Sequence, residues 1–533
     1  MRYVKRSLIA LLVCAVLVTA LPVGGTGYAE QSGVSTANEG QTVRVGMYVK
    51  TSVLDTRRFS ARNSSQSGFE LGYSDGSGFH QIFKTTAKEI IILPCVNAEI
   101  DYGSVSGDGA AGGGNFIACS KTVSRHSSYS AAASAAKKYE GGFVAAVNGG
   151  FEARTSSPTG TPESGSIAVL DVEKQSILFV FADPSRTFAL RASGDGAVTL
   201  PMKHRSGSVN NYEYPGYFEY SVEDGLLRMI NCLGLELYTK CVMANEIGGG
   251  FTKETRRAFS ILARTFALGH KHSEQGFDVC PNSACCQVYA GFFRMSEENN
   301  AIVDSTSGLI CVYNGKPITV LYTGANGGAS CSSVAAWGGN EVPYLTTVFL
   351  ENDDIEESSK WEKVFTRTEF YDYLSSRASF AALADDEITM KILDTDPYGS
   401  DYITVLSVSD GGGNTVTIEN SEKVRSAVGF SSANFKIKYV TDTEVLTSDG
   451  TVSERRIEGI MTAEGYKEFD GFGDSYELIE GGSIAPDKVI ISGVGSGHGV
   501  GFSATGSEKL SLEGYNYKYI LNFFFNGTEI VSA

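Results

Sequence analysis

Positive charge is scarce in this chain. Its 533 residues carry 44 lysines and arginines against 61 aspartates and glutamates, a formal net charge of −17. Nucleic-acid binding needs concentrated Lys and Arg, so the deficit excludes it. It also excludes charge-driven attachment to an anionic surface. Contact with such a surface must come from shape, aromatic stacking and hydrogen bonds. Beyond the first thirty residues no apolar run approaches the roughly 20 residues a spanning helix requires. The phosphate-cradling GxxxxGK[ST] loop, the GxSxG elbow and HExxH are all missing. The stretch Asp394-Thr395-Asp396-Pro397-Tyr398-Gly399-Ser400 opens like a calcium loop. It lacks an oxygen side chain at the fifth position and a Glu at the twelfth, so no calcium is expected there. Nothing calls for an organic cofactor.

Residues 1–29 read as a signal peptide: Arg2, Lys5 and Arg6, an apolar stretch from Ser7 to Leu21, then Gly27-Tyr28-Ala29. Its removal takes three cations and leaves −20. The mature chain is then expected outside the cytoplasmic membrane, or anchored to it if the signal is not cleaved. Nine cysteines follow the signal: Cys95, Cys119, Cys232, Cys241, Cys280, Cys285, Cys286, Cys311 and Cys331. In an exported protein disulfides are the default, and an odd count leaves at least one thiol for another role. The 61 glycines suit a loop-rich, β-rich protein. The expected fold class is α+β: a β-rich, multidomain extracellular protein with a short helical segment.

Residues 30–41 are a polar linker, 42–200 an N-terminal β/α region and 201–533 a second region. Alternating strands are expected from Val43, around an Asp75-Gly76 turn, over 165–200, and in a hairpin turning at Glu223-Asp224-Gly225. Ser128 or Ser130 caps an Ala-rich helix ending near Tyr139, followed by the strand FVAAV. That helix–strand unit resembles a SPOR domain, a small module that binds peptidoglycan glycan strands. An ordinary α/β packing unit fits it as well. Helices are expected over 235–246, from the N-cap Thr252 to Gly269, and near 367–376. Asn314-Gly315 turns a hairpin, Gly411 to Gly413 reads as a turn, and 486–503 and 517–530 read as strand-rich.

The chemistry concentrates in 235–291. Glu246 ends a helix and precedes three glycines, at the negative end of the helix dipole. Apolar neighbours would desolvate it further. A carboxylic acid kept protonated near neutral pH can give a proton to a leaving glycosidic oxygen. A solvent-facing glutamate at a helix end is the plain alternative. His270, His272, Cys280, Cys285 and Cys286 then fall within seventeen residues. Zinc takes four N or S ligands in a tetrahedron, and a disulfide plus a free thiol fits the same residues.

LELYTKCVMANEI at 235–247 resembles the "LEdYlxgVvxxEm" stretch of the SpoIID/LytB family, peptidoglycan-directed proteins of sporulating and other bacteria. RRAFSILARTFAL, AAWGGNEVPYLTTV, VRSAVGFSSANFKI and GSGHGVGFSATG resemble further family blocks, in order, over roughly 210–533. The resemblance implies a lytic transglycosylase that cleaves between N-acetylmuramic acid and N-acetylglucosamine. It acts with one acid/base, here Glu246, rather than a carboxylate pair. Glu236, ten residues earlier, is then structural or a salt-bridge partner. The resemblance further implies structural zinc on His272, Cys280, Cys285 and Cys286, with His270 as alternate ligand and Cys285 where family members carry His. It places Arg264, Tyr322, Asn326, Trp337 and His498 at the substrate, although core packing suits Trp337 and a loop hydrogen bond suits His498. The family's Met-Ser-Gln is here Phe502-Ser503-Ala504. The expected partners are glycan strands and a cell-wall amidase or other sporulation wall proteins. The alternative function is a non-enzymatic, LytB-type amidase enhancer, and the third a wall-binding module with a decayed site.

Overall fold

A computed structural model describes residues 41–51, 55–95, 97–99, 115–117, 120–156, 165–203, 209–269, 271–283, 285–350, 359–446, 452–462, 464–477 and 483–533. The expected signal peptide, almost all of the linker, Cys119 and His270 lie outside the described residues. The chain divides into two compact units, one built from residues 21–249 and 259–310, the other from 250–258 and 311–532. Among the described residues no helix is long and apolar enough to cross a membrane.

Among the described residues the first unit holds two large sheets and a two-stranded one, Asn97–Glu99 with Asn115–Ile117. The six-stranded one runs in the order Thr42–Tyr48, Leu226–Gly234, Tyr217–Glu223, Thr187–Ala192, Phe69–Ser74, Phe79–Thr85. The nine-stranded one is centred on Glu89–Pro94, Ile167–Asp171 and Ser176–Ala182. Buried Phe179 and Phe181 of the nine-stranded sheet meet buried Phe188 of the six-stranded one, with ring centroids 6.4 and 5.6 Å apart. The turn at Asp224-Gly225 has both φ angles positive, 53° and 77°. That is the geometry matching strand twist in a two-residue hairpin. Helix α1 (Tyr129–Ala136) is capped by Ser128 and lies on the strands Phe143–Val147 and Gly150–Ser156. The unit compared with a SPOR module is thus one end of the nine-stranded sheet. Thr42 pairs with Gly234 and Val45 with Asn231, so the boundary expected after residue 200 falls within one sheet.

The strand Leu226–Gly234 runs directly into α2 (Leu235–Glu246), which buries Tyr238, Cys241, Val242 and Met243. Ile247 closes the helix and Gly248, at φ +62°, reverses the chain. Helix α3 (Lys253–Leu268) follows, divided between the units at residue 258. Helix α4 (Glu297–Asp304) packs on α2.

The second unit holds a four-stranded sheet in the order Lys360–Thr366, Lys488–Val494, Phe435–Leu446, Val452–Ile457, and a three-stranded sheet spanning Thr389–Glu419. Helices described in it include α5 (Ser333–Trp337), α6 (Arg367–Ser375), α7 (Ser421–Val428), α8 (Ala504–Leu512) and α9 (Tyr517–Phe524). The expected hairpin at Asn314-Gly315 is present, as is the helix near 367, closed by a Thr366/Glu369 capping box. The strand expected over 517–530 is instead largely α9. Asn516 accepts the N–H groups of Lys518 and Tyr519, and Ile520, Leu521 and Phe524 are buried on one helical stripe. Only Glu529–Ser532 is a strand. Aromatic β-propensity is a weak guide where capping and a 3.6-residue period agree.

Candidate active site

Glu246 is the last residue of α2 and half-buried. The Val288 N–H donates to its Oε1 at 2.6 Å. A backbone donor therefore faces the carboxylate, where the sequence suggested apolar neighbours alone. Tyr238, two turns earlier on α2, is fully buried and donates from its hydroxyl to Gln287 Oε1 at 3.1 Å. Burial above all holds that phenol well above its ordinary range.

Glu236 is fixed differently. Arg264 Nε and Nη2 grip its two oxygens at 2.8 and 2.6 Å, and the Gly308 N–H adds a third bond at 2.9 Å. Arg264 has 0% side-chain exposure and also donates to the Leu309 carbonyl. With no exposed surface, the guanidinium ties α3 to α2. Two carboxylates on one helix thus have separate fates, one locked by a buried fork and one left partly open.

The sequence-nominated His272, Cys280, Cys285 and Cys286 come together, with all four donor atoms within 4.8 Å of one another. Cys285 Sγ lies 3.2 Å from His272 Nε2 and 3.9 Å from Cys286 Sγ. Those separations suit a tetrahedron with Zn–S of about 2.3 Å and Zn–N of about 2.0 Å. A bonded sulfur pair at about 2.05 Å does not fit 3.9 Å. His272 Nδ1 meets Gln275 Oε1 at 3.0 Å, which orients the ring and leaves Nε2 toward the sulfurs. Cys280 is pulled down to about 5, chiefly by a hydrogen bond from Cys286, whose own thiol is pushed up because Cys280 takes the charge. The cluster could hold a metal ion, and its donors fit zinc. Elsewhere Cys232, Cys241 and Cys331 are buried free thiols, so the disulfides expected by default do not form at these positions.

The remaining nominated residues lie in the second unit. Trp337 ends α5 and is 44% exposed, so core packing does not account for it. Its ring centroid is 5.3 Å from that of His498. His498 Nδ1 accepts the Val500 N–H at 3.0 Å, and desolvation pulls the imidazole down to about 4. Gly499 is required here: at φ +76°, a Cβ would meet the Tyr402 ring at 2.3 Å. Tyr322 is half-buried and pairs with Phe502. Asn326 is fully buried, and among the described residues neither polar atom of its side chain has a hydrogen-bond partner. The missing family Gln coincides with buried Ala504 in the first turn of α8, which Ser503 caps.

Gln287, the Val288 N–H and Asp396 do not stand out in the sequence. Gln287 and Val288 sit in CCQVY beside the cysteines, the one signal that could have pointed to them. Asp396 lies in the loop rejected for calcium. Its carboxylate instead accepts Ser332 N–H and hydroxyl at 2.9 and 3.0 Å, Thr347 at 2.8 Å and Ser400 at 2.7 Å. It thereby holds the Ser332 cap of α5, the helix that presents Trp337.

The SpoIID family, described as stage II sporulation protein, matches residues 223–313. That segment contains Glu246, Arg264 and the His/Cys cluster. The chain is 26% identical over 308 residues to the amidase enhancer of Bacillus subtilis, covering 55% of this chain and 40% of that protein. It therefore spans less than half of that relative. It is 23% identical over 315 residues to stage II sporulation protein D of the same organism, covering 56% and 75%. An uncharacterised protein of Brachyspira hyodysenteriae is 25% identical over 327 residues, covering 61% and 74%.

Proposed function

We propose, on the premise that this chain belongs to the SpoIID/LytB family, that it is an exported lytic transglycosylase of peptidoglycan glycan strands acting in sporulation wall remodelling. The observation that carries the reading is Glu246, partly open at a helix end with one oxygen held by a backbone N–H. Because Oε1 accepts that N–H, the transferable proton belongs on Oε2. The acid protonates the bridging oxygen between N-acetylmuramic acid and N-acetylglucosamine. The resulting carboxylate then takes the proton of the muramoyl hydroxymethyl group as that oxygen closes the anhydro ring. One acid/base suffices, which accords with Glu236 being held by Arg264. Trp337 and His498 offer a ring surface for a sugar face, and His272, Cys280, Cys285 and Cys286 hold a structural zinc.

The second reading is an amidase enhancer that binds peptidoglycan and stimulates a separate hydrolase. The similarity to the Bacillus amidase enhancer favours it. Mass spectrometry of peptidoglycan treated with the purified mature protein and with Glu246→Gln separates the two. Anhydromuramic products from the wild type and none from the variant are expected. No products from either, on intact or peptide-stripped glycan, would turn the assignment to the enhancer.

A further inference from the structure

Residues 286–289 have no regular secondary structure, yet each is tied to a different group. The Cys286 N–H donates to the Asn282 carbonyl at 2.7 Å, and its sulfur belongs to the His/Cys cluster. Gln287 Oε1 accepts the Tyr238 hydroxyl at 3.1 Å. The Val288 N–H donates to Glu246 Oε1 at 2.6 Å. The Tyr289 hydroxyl donates to Asn231 Oδ1 at 2.5 Å, and its ring stacks on Tyr238 with centroids 5.5 Å apart. Tyr238 and Glu246 lie two turns apart on α2, about 12 Å along its axis. The segment is therefore pinned to the helix at both places by neighbouring residues.

Gln287 stands out among these. Its side chain is fully buried, and among the described residues its Nε2 has no hydrogen-bond partner. A buried amide with an unsatisfied donor costs stability. An apolar residue of the same size would avoid that cost, so the side chain earns its place through the acceptor it offers Tyr238. A backbone donor can aim a carboxylate only as accurately as the backbone itself is held.

We propose that Gln287 is a positioning residue for Glu246: gripped by Tyr238, it fixes the Val288 N–H that orients the carboxylate. The proposal rests on the reading of Glu246 as acid/base, and its test separates the two. Tyr238→Phe removes only the donor and keeps the ring on Tyr289, while Gln287→Leu removes the acceptor and keeps apolar volume. Each is compared with wild type for melting temperature, metal content, anhydromuramic product kinetics and the amide proton of Val288 by NMR. A short bond to a carboxylate should place that proton far downfield and slow its exchange. In both variants we expect the resonance to move upfield and exchange faster, with kcat falling about ten- to a hundredfold and KM unchanged. Should Gln287→Leu fail to fold, Tyr238→Phe decides alone. A Val288 resonance that stays in place overturns the proposal whatever kcat does, and so does one that moves while kcat holds. If the wild type releases no anhydro product but the resonance moves in the variants, the positioning stands and the acid/base reading falls.

Discussion

His498 carries a pH dependence in its surroundings. Desolvation lowers the imidazole from 6.5 to about 4, Glu422 opposes that shift and Arg425 adds to it. The Val500 N–H points at Nδ1 and requires that nitrogen to be unprotonated. In the unfolded chain the group keeps its ordinary value, so between about pH 6.5 and pH 4 the unfolded state binds the extra proton. Stability from this residue is complete above that window and is lost as pH falls through it. His498→Gln should make the decline of melting temperature shallower between pH 6.5 and pH 4, with the wild type's advantage over the variant greatest at pH 7.5 and shrinking toward pH 4. Equal slopes in calorimetry across that range would show that the ring is not held neutral. The sequence marked His498 by its glycines but could not fix its charge state. That depends on Trp337 and Val500, one of them 161 positions away. Glu246 and Glu236 make the same point, because the helix placed both in sequence while the roles came from Val288 and Arg264.

The His/Cys loop was the most legible element, since all four nominated ligands converge. Close spacing makes that possible: His272 to Cys286 is a short stretch, and a tight turn at Asn282 brings Cys285 and Cys286 back. Thiolate ligands must lose their protons, and Cys280 is already inclined to. Protein purified without chelator should contain one equivalent of zinc by elemental analysis. Cys280→Ser and Cys286→Ser should fall well below half, and chelation of the wild type should lower its melting temperature. A full zinc complement in both variants would rule the cluster out as the ligand set. Strands and hairpins with Asp-Gly and Asn-Gly turns were equally legible because the positive φ demand is local. Helix α9 was not, because the aromatic run YKYILNFF suits a strand by composition. The decision came from the Asn516 cap and from burial of Ile520, Leu521 and Phe524.

At the scale of the molecule, organisation was the least legible feature. The pairing of Thr42 with Gly234 joins distant segments, and no local pattern announces a partner that far along the chain. Charge, in contrast, is read directly from composition and constrains any wall contact. At −17 the protein and an anionic wall repel each other at long range, and salt screens that repulsion within about 10 Å at 0.1 M. Stacking on rings such as Trp337, 44% exposed, and hydrogen bonding to sugars do not weaken in the same way. Binding of the Glu246→Gln protein to purified sacculi, followed by sedimentation, should therefore hold steady or strengthen as sodium chloride rises from about 50 to about 500 mM. Trp337→Ala should weaken binding at every salt concentration. A steep loss of wild-type binding with salt would mean that a local cationic patch dominates despite the net charge. It would move the contact surface away from the Trp337–His498 pair and toward the lysines and arginines.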